Sequence, residues 1–344
     1  MKTRLSHIFR ALGITAIVAA NLSMTTVSRA ETDKTKVTLG YASMSGAFGS
    51  FWIAEEKGYF KEEGLDVTLL FSATTVGLQA LSSGHIDAMG SGCAEFFEAT
   101  RKGYENRVVA SLLENNLYLL ASAKGITDPK MLIGKTIAVN KIGDTGHLSM
   151  RHALRRLGVD PDKITYVQVG STPERFSALS KGAVAGAIQV GSLRPLVIKS
   201  GLHVLIDLQK EKSPSCLGGI GVKAETIKKT PKMVEALLRA IAKGNAYLSD
   251  GPAEETKKIF SKYMKLPPTD AKLLLGWSYF SKEAHSRKPK QTIEATKSVM
   301  EMMAEADPTW KKEDPSRYVD LSFMEKLDKS GYLDQIYKDI NSKK

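Results

Sequence analysis

Residues 37–71 read VTLGYASMSGAFGSFWIAEEKGYFKEEGLDVTLLF. Two β-type runs, VTLGYA (37–42) and LDVTLLF (65–71), flank a helix-type run, FWIAEEKG, that stops at a glycine. Glycine is the usual left-handed stop for a helix. The same order continues outward. TVGLQALSSG is a helix, IDAMG (86–90) a strand, AEFFEATRKG a helix and RVVASLL (107–113) a strand. Strands that alternate with helices predict a parallel sheet covered on both faces.

The rhythm then starts again. KTIAVN (135–140), KITYVQV (163–169), AVAGAIQV (183–190) and HVLIDL (203–208) read as strands. HLSMRHALRRLG (147–158), PERFSALSKG (173–182) and a segment from near Leu193 read as the helices between them. LYLLASA (117–123) leads from the first unit to the second, and CLGGIGVKA (216–224) reads as a strand running back. If it rejoins the first sheet, two extended segments bridge two lobes, which is hinge architecture. From Pro231 onward the pattern is helical and broken by prolines. The expected organisation is a leader over 1–30, the first part of lobe one over 31–121, and lobe two over 122–215. A return to lobe one over 216–250 and C-terminal helices over 251–344 complete it.

The leader is inferred from Lys2, Arg4 and Arg10, an apolar run from Ala11 to about Met24, and the small-x-small ending Ser28-Arg29-Ala30. These are the three regions of a secretory signal peptide. The apolar run is shorter than the roughly 20 residues that cross a bilayer. No cysteine near Ala30 offers a lipid site. The expected product is a soluble periplasmic monomer without a lipid anchor. The whole chain carries a net charge of +12, which favours anionic ligands or partners. Its lysines are scattered and form no Arg-rich, aromatic-interleaved stripe, so no nucleic-acid role is expected. Cys93 and Cys216 are the two cysteines. They can pair in an oxidising compartment.

In open α/β sheets ligands sit where strands end and helices begin. The first such turn holds Ser43, Ser45, Gly46, Phe48, Gly49 and Ser50. Small residues there let backbone N–H groups approach an anion, although the serines could equally cap the next helix. Phe48, Phe51 and Trp52 offer either core or a wall for a flat ligand. The second turn holds Ser72, Thr74 and Thr75, and the third Ser91, Gly92 and Cys93. In the second unit the matching turns carry Asp144, Thr145, Gly146 and His147, then Ser171 and Thr172 ahead of Pro173. Asp144 or Thr145 reads as a helix cap, Arg175 as a residue able to meet an anion but more readily solvent-facing, and Gln189 as a strand-end amide able to reach a cleft.

Enzyme signatures are largely missing. GKT at 134–136 lacks its upstream glycine, because Pro129 stands there. GIGVKA at 219–224 is only a loose dinucleotide pattern outside a βαβ unit. His147 and His152 are five apart, on different faces of a helix, so no metal site and no cofactor are expected. Cys93 at a helix start could act as a nucleophile, or serve as a buried residue or disulfide half.

Four stretches carry a resemblance. FWIAEEKGYFKEEGLDVTLL (51–70), LQALSSGHIDAM (78–89), ITDPKMLIGKTIAV (126–139) and RHALRRLGVDPDKITYVQVGSTPERFSALSKGAVAGAI (151–188) are similar to the nitrate/sulfonate/taurine branch of ABC-transporter solute-binding proteins, which includes thiamine-pyrimidine-like binders. The resemblance implies a two-lobed periplasmic binding protein fold (type II): two parallel-rich sheets, a double-strand hinge, a ligand cleft and C-terminal helices. It implies an inner-membrane ABC permease as partner; the leader, the two hinged units and the missing catalytic set add the expectation of binding without catalysis. Family ligand contacts map onto Ser43–Ser50, Ser72–Thr75, Ser91–Cys93 and Gly143–His147. One departure stands out: VAGAI (184–188) replaces the usual acid-containing "vDA". The expected ligand is a small organic anion of sulfonate or carboxylate type. The alternatives are a sulfinate-hydrolase-like enzyme using Cys93, and a periplasmic sensor partner.

Overall fold

Short runs of β-branched and apolar residues, each closed by a turn, build the strands. The computed structural model describes residues 34–342; the expected leader over 1–30 lies outside the described residues. The first unit runs β1 (Thr35–Tyr41), α1 (Gly49–Glu56), α2 (Tyr59–Glu62), β2 (Leu65–Phe71), α3 (Thr74–Ser83), β3 (Ala88–Ser91), α4 (Cys93–Arg101) and β4 (Asn106–Ser111). Gly84 ends α3 at φ 79°, a left-handed conformation that costs a side-chain-bearing residue energy.

The second unit runs β5 (Tyr118–Ser122), β6 (Thr136–Val139), α5 (Thr145–Arg156), β7 (Thr165–Gln168), α6 (Thr172–Ser180), β8 (Gly186–Val190), α7 (Arg194–Lys199) and β9 (His203–Asp207). The chain returns as β10 (Gly219–Lys223). The two sheets are ordered β2-β1-β3-β10-β4 and β7-β6-β8-β5-β9. In each, a central strand pairs in parallel with its neighbours, β1 with β2 and β3, β6 with β7 and β8. In each, the fourth strand is antiparallel and has arrived from the other lobe.

The sequence reading treated 117–123 as a connector between units. It is instead an inner strand of the second sheet, with Leu119, Leu120 and Ala121 buried on both faces. The crossings are the segments on either side, 112–117 and 208–218. They run antiparallel and bond to each other: Leu112 N–H donates to Gly218 O at 2.9 Å, Ser215 N–H to Glu114 O at 3.0 Å, and Asn116 N–H to Ser213 O at 2.8 Å.

The rest of the chain is helical: α8 (Ala224–Lys229), α9 (Pro231–Asp250), α10 (Ala253–Met264), α11 (Ala271–Tyr279), α12 (Ile293–Ala304), α13 (Ser322–Lys329) and α14 (Tyr332–Asn341). These helices thicken lobe one. Leu237, Leu238 and Ile241 of α9 share a core with Phe51, Trp52 and Ile53 of α1. Val299, Met300 and Met303 of α12 pack with Phe96 and Phe97 of α4. Lobe two has thinner layers on its two faces, around Ile137, Met150 and Leu154 and around Ala187, Leu179 and Val197. Among the described residues no helix is long and apolar enough to cross a membrane.

Gly244 marks the closest approach of α9 to α1, where an added Cβ would press on the Ser50 carbonyl oxygen and on Ala54. Glycine to alanine inside a helix ordinarily stabilises by roughly 0.5–1 kcal/mol. Here overpacking outweighs propensity, and Gly244→Ala is expected to destabilise by about 1–3 kcal/mol. Urea unfolding reads the sign; a rise in the midpoint would show that the helices can part without cost.

Candidate functional site

Parallel strands bring their carboxyl ends to one edge, so the turns that follow β1, β2 and β3 face those that follow β6 and β7. Between them lies a cleft of about 1480 Å³. That exceeds the roughly 300–1,000 Å³ of an ordinary small-molecule site, because it also runs along the surface groove of α3 and α4 past Gln79, Glu98 and Tyr104.

The first lobe offers Ser43, Ser45 and Phe48 after β1, Thr74 and Thr75 at the start of α3, and Ser91 and Gly92 before α4. The second offers Asp144, Thr145 and Gly146 at the start of α5, and Ser171 before α6. The Ser91 hydroxyl is buried without a hydrogen-bond partner. Ser43 and Ser45 bond to each other at 2.8 Å. Ser171 gives its N–H and hydroxyl to Glu174 at 2.6 and 2.8 Å.

Other expected residues lie off the cleft wall, for reasons of packing. Gly46 and Gly49 face the Phe260 ring, and Gly46 also faces Phe280. Ser50 donates to Asn245 Oδ1 at 3.1 Å inside the lobe-one core. Ser72 turns its hydroxyl onto Ala73 O at 3.3 Å. Gln189 is fully buried in β8, with both amide atoms unpartnered. His147 sits beneath the α5 turn, where its Nδ1 accepts the Gly143 N–H at 3.0 Å and its ring meets Tyr166 edge-on at 4.5 Å. An Nδ1 that accepts leaves the proton on Nε2. Burial, helped by the Arg151 charge, lowers this histidine to about 4, so it is neutral. Cys93 is joined to Cys216 with its Cα atoms 5.4 Å apart. Its sulfur is therefore committed to the bond, and its N–H donates to Cys216 O at 2.9 Å.

Arg175, which the sequence allows either to meet an anion or to point to solvent, is 2% exposed. Its Nε–H donates to Ile188 O at 2.9 Å, and its terminal nitrogens reach Gly170 O and Thr172 Oγ1. Every one of these partners is neutral, and no ion pair to Arg175 occurs among the described residues. Five N–H groups are available on a guanidinium, so two are left after these three bonds, and Arg175 is among the residues that line the cleft. Arg175, one of four arginines in the 151–188 run, was itself the available signal. Its burial was not readable, because the strand edge that covers it comes from elsewhere in the sheet.

Glu95, in the first turn of α4, also lines the cleft and accepts the Thr145 hydroxyl at 2.6 Å. This bond joins the lobes. A second crossing runs from Lys141 Nζ to Thr75 Oγ1 at 3.0 Å. Asp144 caps α5, accepting the His147 N–H at 2.8 Å and an amide N–H of Asn140. Burial, then the nearby Glu95, push its carboxyl up to about 7 against the pull of the His147 N–H, Arg175 and Lys141. Tyr118, half-buried and itself lining the cleft, is raised by burial and by Asp144.

Residues 46–255 match the family described as NMT1/THI5 like. The chain belongs to that family. Among NMT1/THI5-like relatives, the 4-amino-5-hydroxymethyl-2-methylpyrimidine phosphate synthase THI11 of Saccharomyces cerevisiae is 27% identical over 234 residues, 63% of this chain and 66% of that protein. The chain thus spans just under two thirds of the length of that relative. The synthase of the same name from Candida albicans is 24% identical over 256 residues, 68% of this chain and 74% of that protein.

Among solved structures, a protein of Bordetella bronchiseptica superposes with TM-score 0.73 at 20% identity, covering 87% of this chain and 98% of that one. The periplasmic nitrate-binding protein NrtA of Synechocystis PCC 6803 gives 0.69 at 15%, covering 88% and 91%. The periplasmic aliphatic sulphonate-binding protein SsuA of Escherichia coli gives 0.66 at 17%, covering 81% and 92%. The fold is that of periplasmic solute-binding proteins, and the resemblance read from the four sequence stretches holds.

The Cys93–Cys216 bond closes a loop with a sequence separation of 123 residues that contains the whole second sheet. Cross-linking a loop of that length removes on the order of 4–5 kcal/mol of chain entropy from the unfolded state. The denatured, unreduced protein is expected to show no free thiol. Reduction should lower the unfolding midpoint by a stability loss of that order. Two titratable thiols before reduction would overturn the pairing.

Proposed function

We propose that this NMT1/THI5-like protein is the ligand-capturing component of an ABC importer. In this reading it is a monomer outside the inner membrane, and it delivers a small organic anion of sulfonate or carboxylate type to the permease. Arg175 carries the reading. A buried cation without a counter-charge is costly, and an oxyanion in the cleft would supply one. The planar fork of a guanidinium matches a carboxylate or sulfonate in two-point contact. The starts of α3, α4, α5 and α6 all face the cleft, and helix N-termini favour negative charge. Ser43, Ser45, Thr74, Ser91 and Ser171 would add hydroxyl contacts.

A second reading is an enzyme on the same scaffold, favoured by the synthase names of the yeast relatives. Its sequence candidates sit poorly for chemistry here. Cys93 is held in a disulfide, and His147 turns its ring away from the cleft wall. A role as sensor partner would use the same capture site and differ only in the receptor.

The test is a thermal-shift screen of protein stripped of carried ligand by unfolding and refolding. The panel holds nitrate, sulfonates, aliphatic and aromatic acids, pyrimidines and ureas. A binding acid at a hundredfold excess over its Kd should add about 2.7 kcal/mol of stability. Arg175→Met should weaken that acid by thirtyfold or more, within the 2–5 kcal/mol span of a lost buried charge contact. Neutral pyrimidines or ureas shifting the protein while every acid fails would overturn the anion reading. A chemically altered ligand recovered after incubation would favour the enzyme.

A further inference from the structure

Lobe two carries nearly all of the net charge. Over 118–212 the chain holds 14 lysines and arginines against 7 acids, a net +7. The other described residues, 34–117 and 213–342, hold 29 against 28, a net +1. The five arginines of lobe two are engaged. Arg151 pairs with Asp162, Arg155 with Glu305, Arg156 with Glu211 and Arg194 with Asp207, and Arg175 holds its three neutral oxygens. The unpaired charge of this lobe is therefore lysine.

Six of these lysines share one edge. Lys163 precedes β7, Lys135 precedes β6, Lys181 closes α6 ahead of β8, Lys124 follows β5, and Lys199 closes α7 ahead of β9. Lys130 lies in the short helical turn between β5 and β6. Because β5 runs antiparallel to β8 and β9, its exit lies beside the entries of the other four strands. Backbone bonds tie these connections together: Gly134 N–H donates to Lys163 O at 2.8 Å, Thr165 N–H to Lys135 O at 3.0 Å, and Ala123 N–H to Ala185 O at 2.9 Å. Scattered in sequence, the six are gathered by topology into a row about 20 Å long, the width of five strands. All six are exposed, and no ion pair to any of them occurs among the described residues. The acids nearby are committed elsewhere. Asp128 and Asp160 accept the backbone N–H groups of Lys130 and Asp162, and Asp162 holds Arg151.

Apolar side chains stand between these charges. Met131, Ile133 and Ile198 are 47%, 46% and 59% exposed. They alternate along the chain with Lys130, Lys135 and Lys199. We propose that this edge of lobe two docks on an anionic phospholipid bilayer. Lysines near such a surface are drawn to its headgroups, each contributing about fivefold in binding. Apolar side chains beside them enter the headgroup boundary and add to that attraction. An interface with a protein is enriched in arginine and aromatics and depleted of lysine. This edge has the opposite composition, free lysines and isolated aliphatic side chains, which suits a surface of mobile headgroups. The row lies at the amino ends of β6, β7 and β8, whereas the cleft lies at the carboxyl ends. A docked protein therefore keeps its cleft open to solution.

The experiment is co-sedimentation of residues 31–344 with phosphatidylcholine vesicles, with and without phosphatidylglycerol. That span holds the whole described fold and omits the leader, whose basic and apolar residues would bind lipid by themselves. The protein should bind the phosphatidylglycerol vesicles, stay free of phosphatidylcholine alone, and come off as salt shortens the reach of charge. Lys130→Glu, Lys135→Glu and Lys199→Glu together should weaken binding on the order of a hundredfold. Lys228→Glu, Lys232→Glu and Lys258→Glu, three exposed lysines outside lobe two, change the net charge equally and should keep most of the binding. Met131→Ser with Ile133→Ser should weaken it about tenfold or more. All eight positions are exposed, so every variant should melt like wild type. Absence of binding to phosphatidylglycerol vesicles, or equal binding to phosphatidylcholine alone, would overturn the proposal. So would a control set that loses as much as the edge set. A Met131 and Ile133 variant that binds like wild type would overturn the bilayer and leave the lysines to an acidic partner. The cleft takes no part in these measurements, so failure here is separate from failure of the capture reading.

Discussion

Two segments of chain, 112–117 and 208–218, cross between the sheets side by side, bonded to each other from Leu112–Gly218 to Asn116–Ser213. Everything else about the molecule follows from that pairing. Each crossing ends in an antiparallel strand that fills the fourth position of the opposite sheet, β5 in one and β10 in the other. Neither sheet is complete without chain from across the gap. The lobes therefore stay together as bodies, while the crossings are thin enough to bend. The Cys93–Cys216 bond reinforces one end of this arrangement, joining the start of α4 to the returning segment just before β10.

The cleft inherits its chemistry from this placement. The strand exits of both lobes point inward, so helix starts and hydroxyls face each other across it. Against that mildly positive background stand two opposed features. Arg175 is anchored by three neutral oxygens and presents charge without a partner. Glu95 and Asp144 bring carboxyl groups from opposite sides.

Relatives and neighbours differ in what they do. The curated relatives are named as pyrimidine phosphate synthases, while NrtA and SsuA are periplasmic binding proteins. A fold does not fix a function. The decision rests on the groups in this cleft. Here the cysteine nearest the cleft is bonded and the buried histidine is turned onto a tyrosine.

The strand–helix alternation, the glycine stops and the hydroxyl-rich turns are local patterns. They determined that there would be two α/β units and which turns would line a cleft. Ser43, Ser45, Thr74, Thr75, Ser91, Gly92, Asp144, Thr145, Gly146 and Ser171 are at those turns and line it. Position along a turn does not say which way a side chain faces. Gly46, Gly49 and Ser50 were claimed by the α10 ring Phe260 and by Asn245 of α9, two C-terminal helices more than 190 residues away in sequence. Arg175 was buried because β8 supplies the carbonyl of Ile188 beside it. Glu95 became a cleft group only because Thr145 approaches from the other lobe. Hydrophobic period and turn chemistry act over a few residues, and the sequence carries them directly. Burial, charge pairing and contact between lobes depend on which distant segments share a surface, and only the tertiary structure decides that.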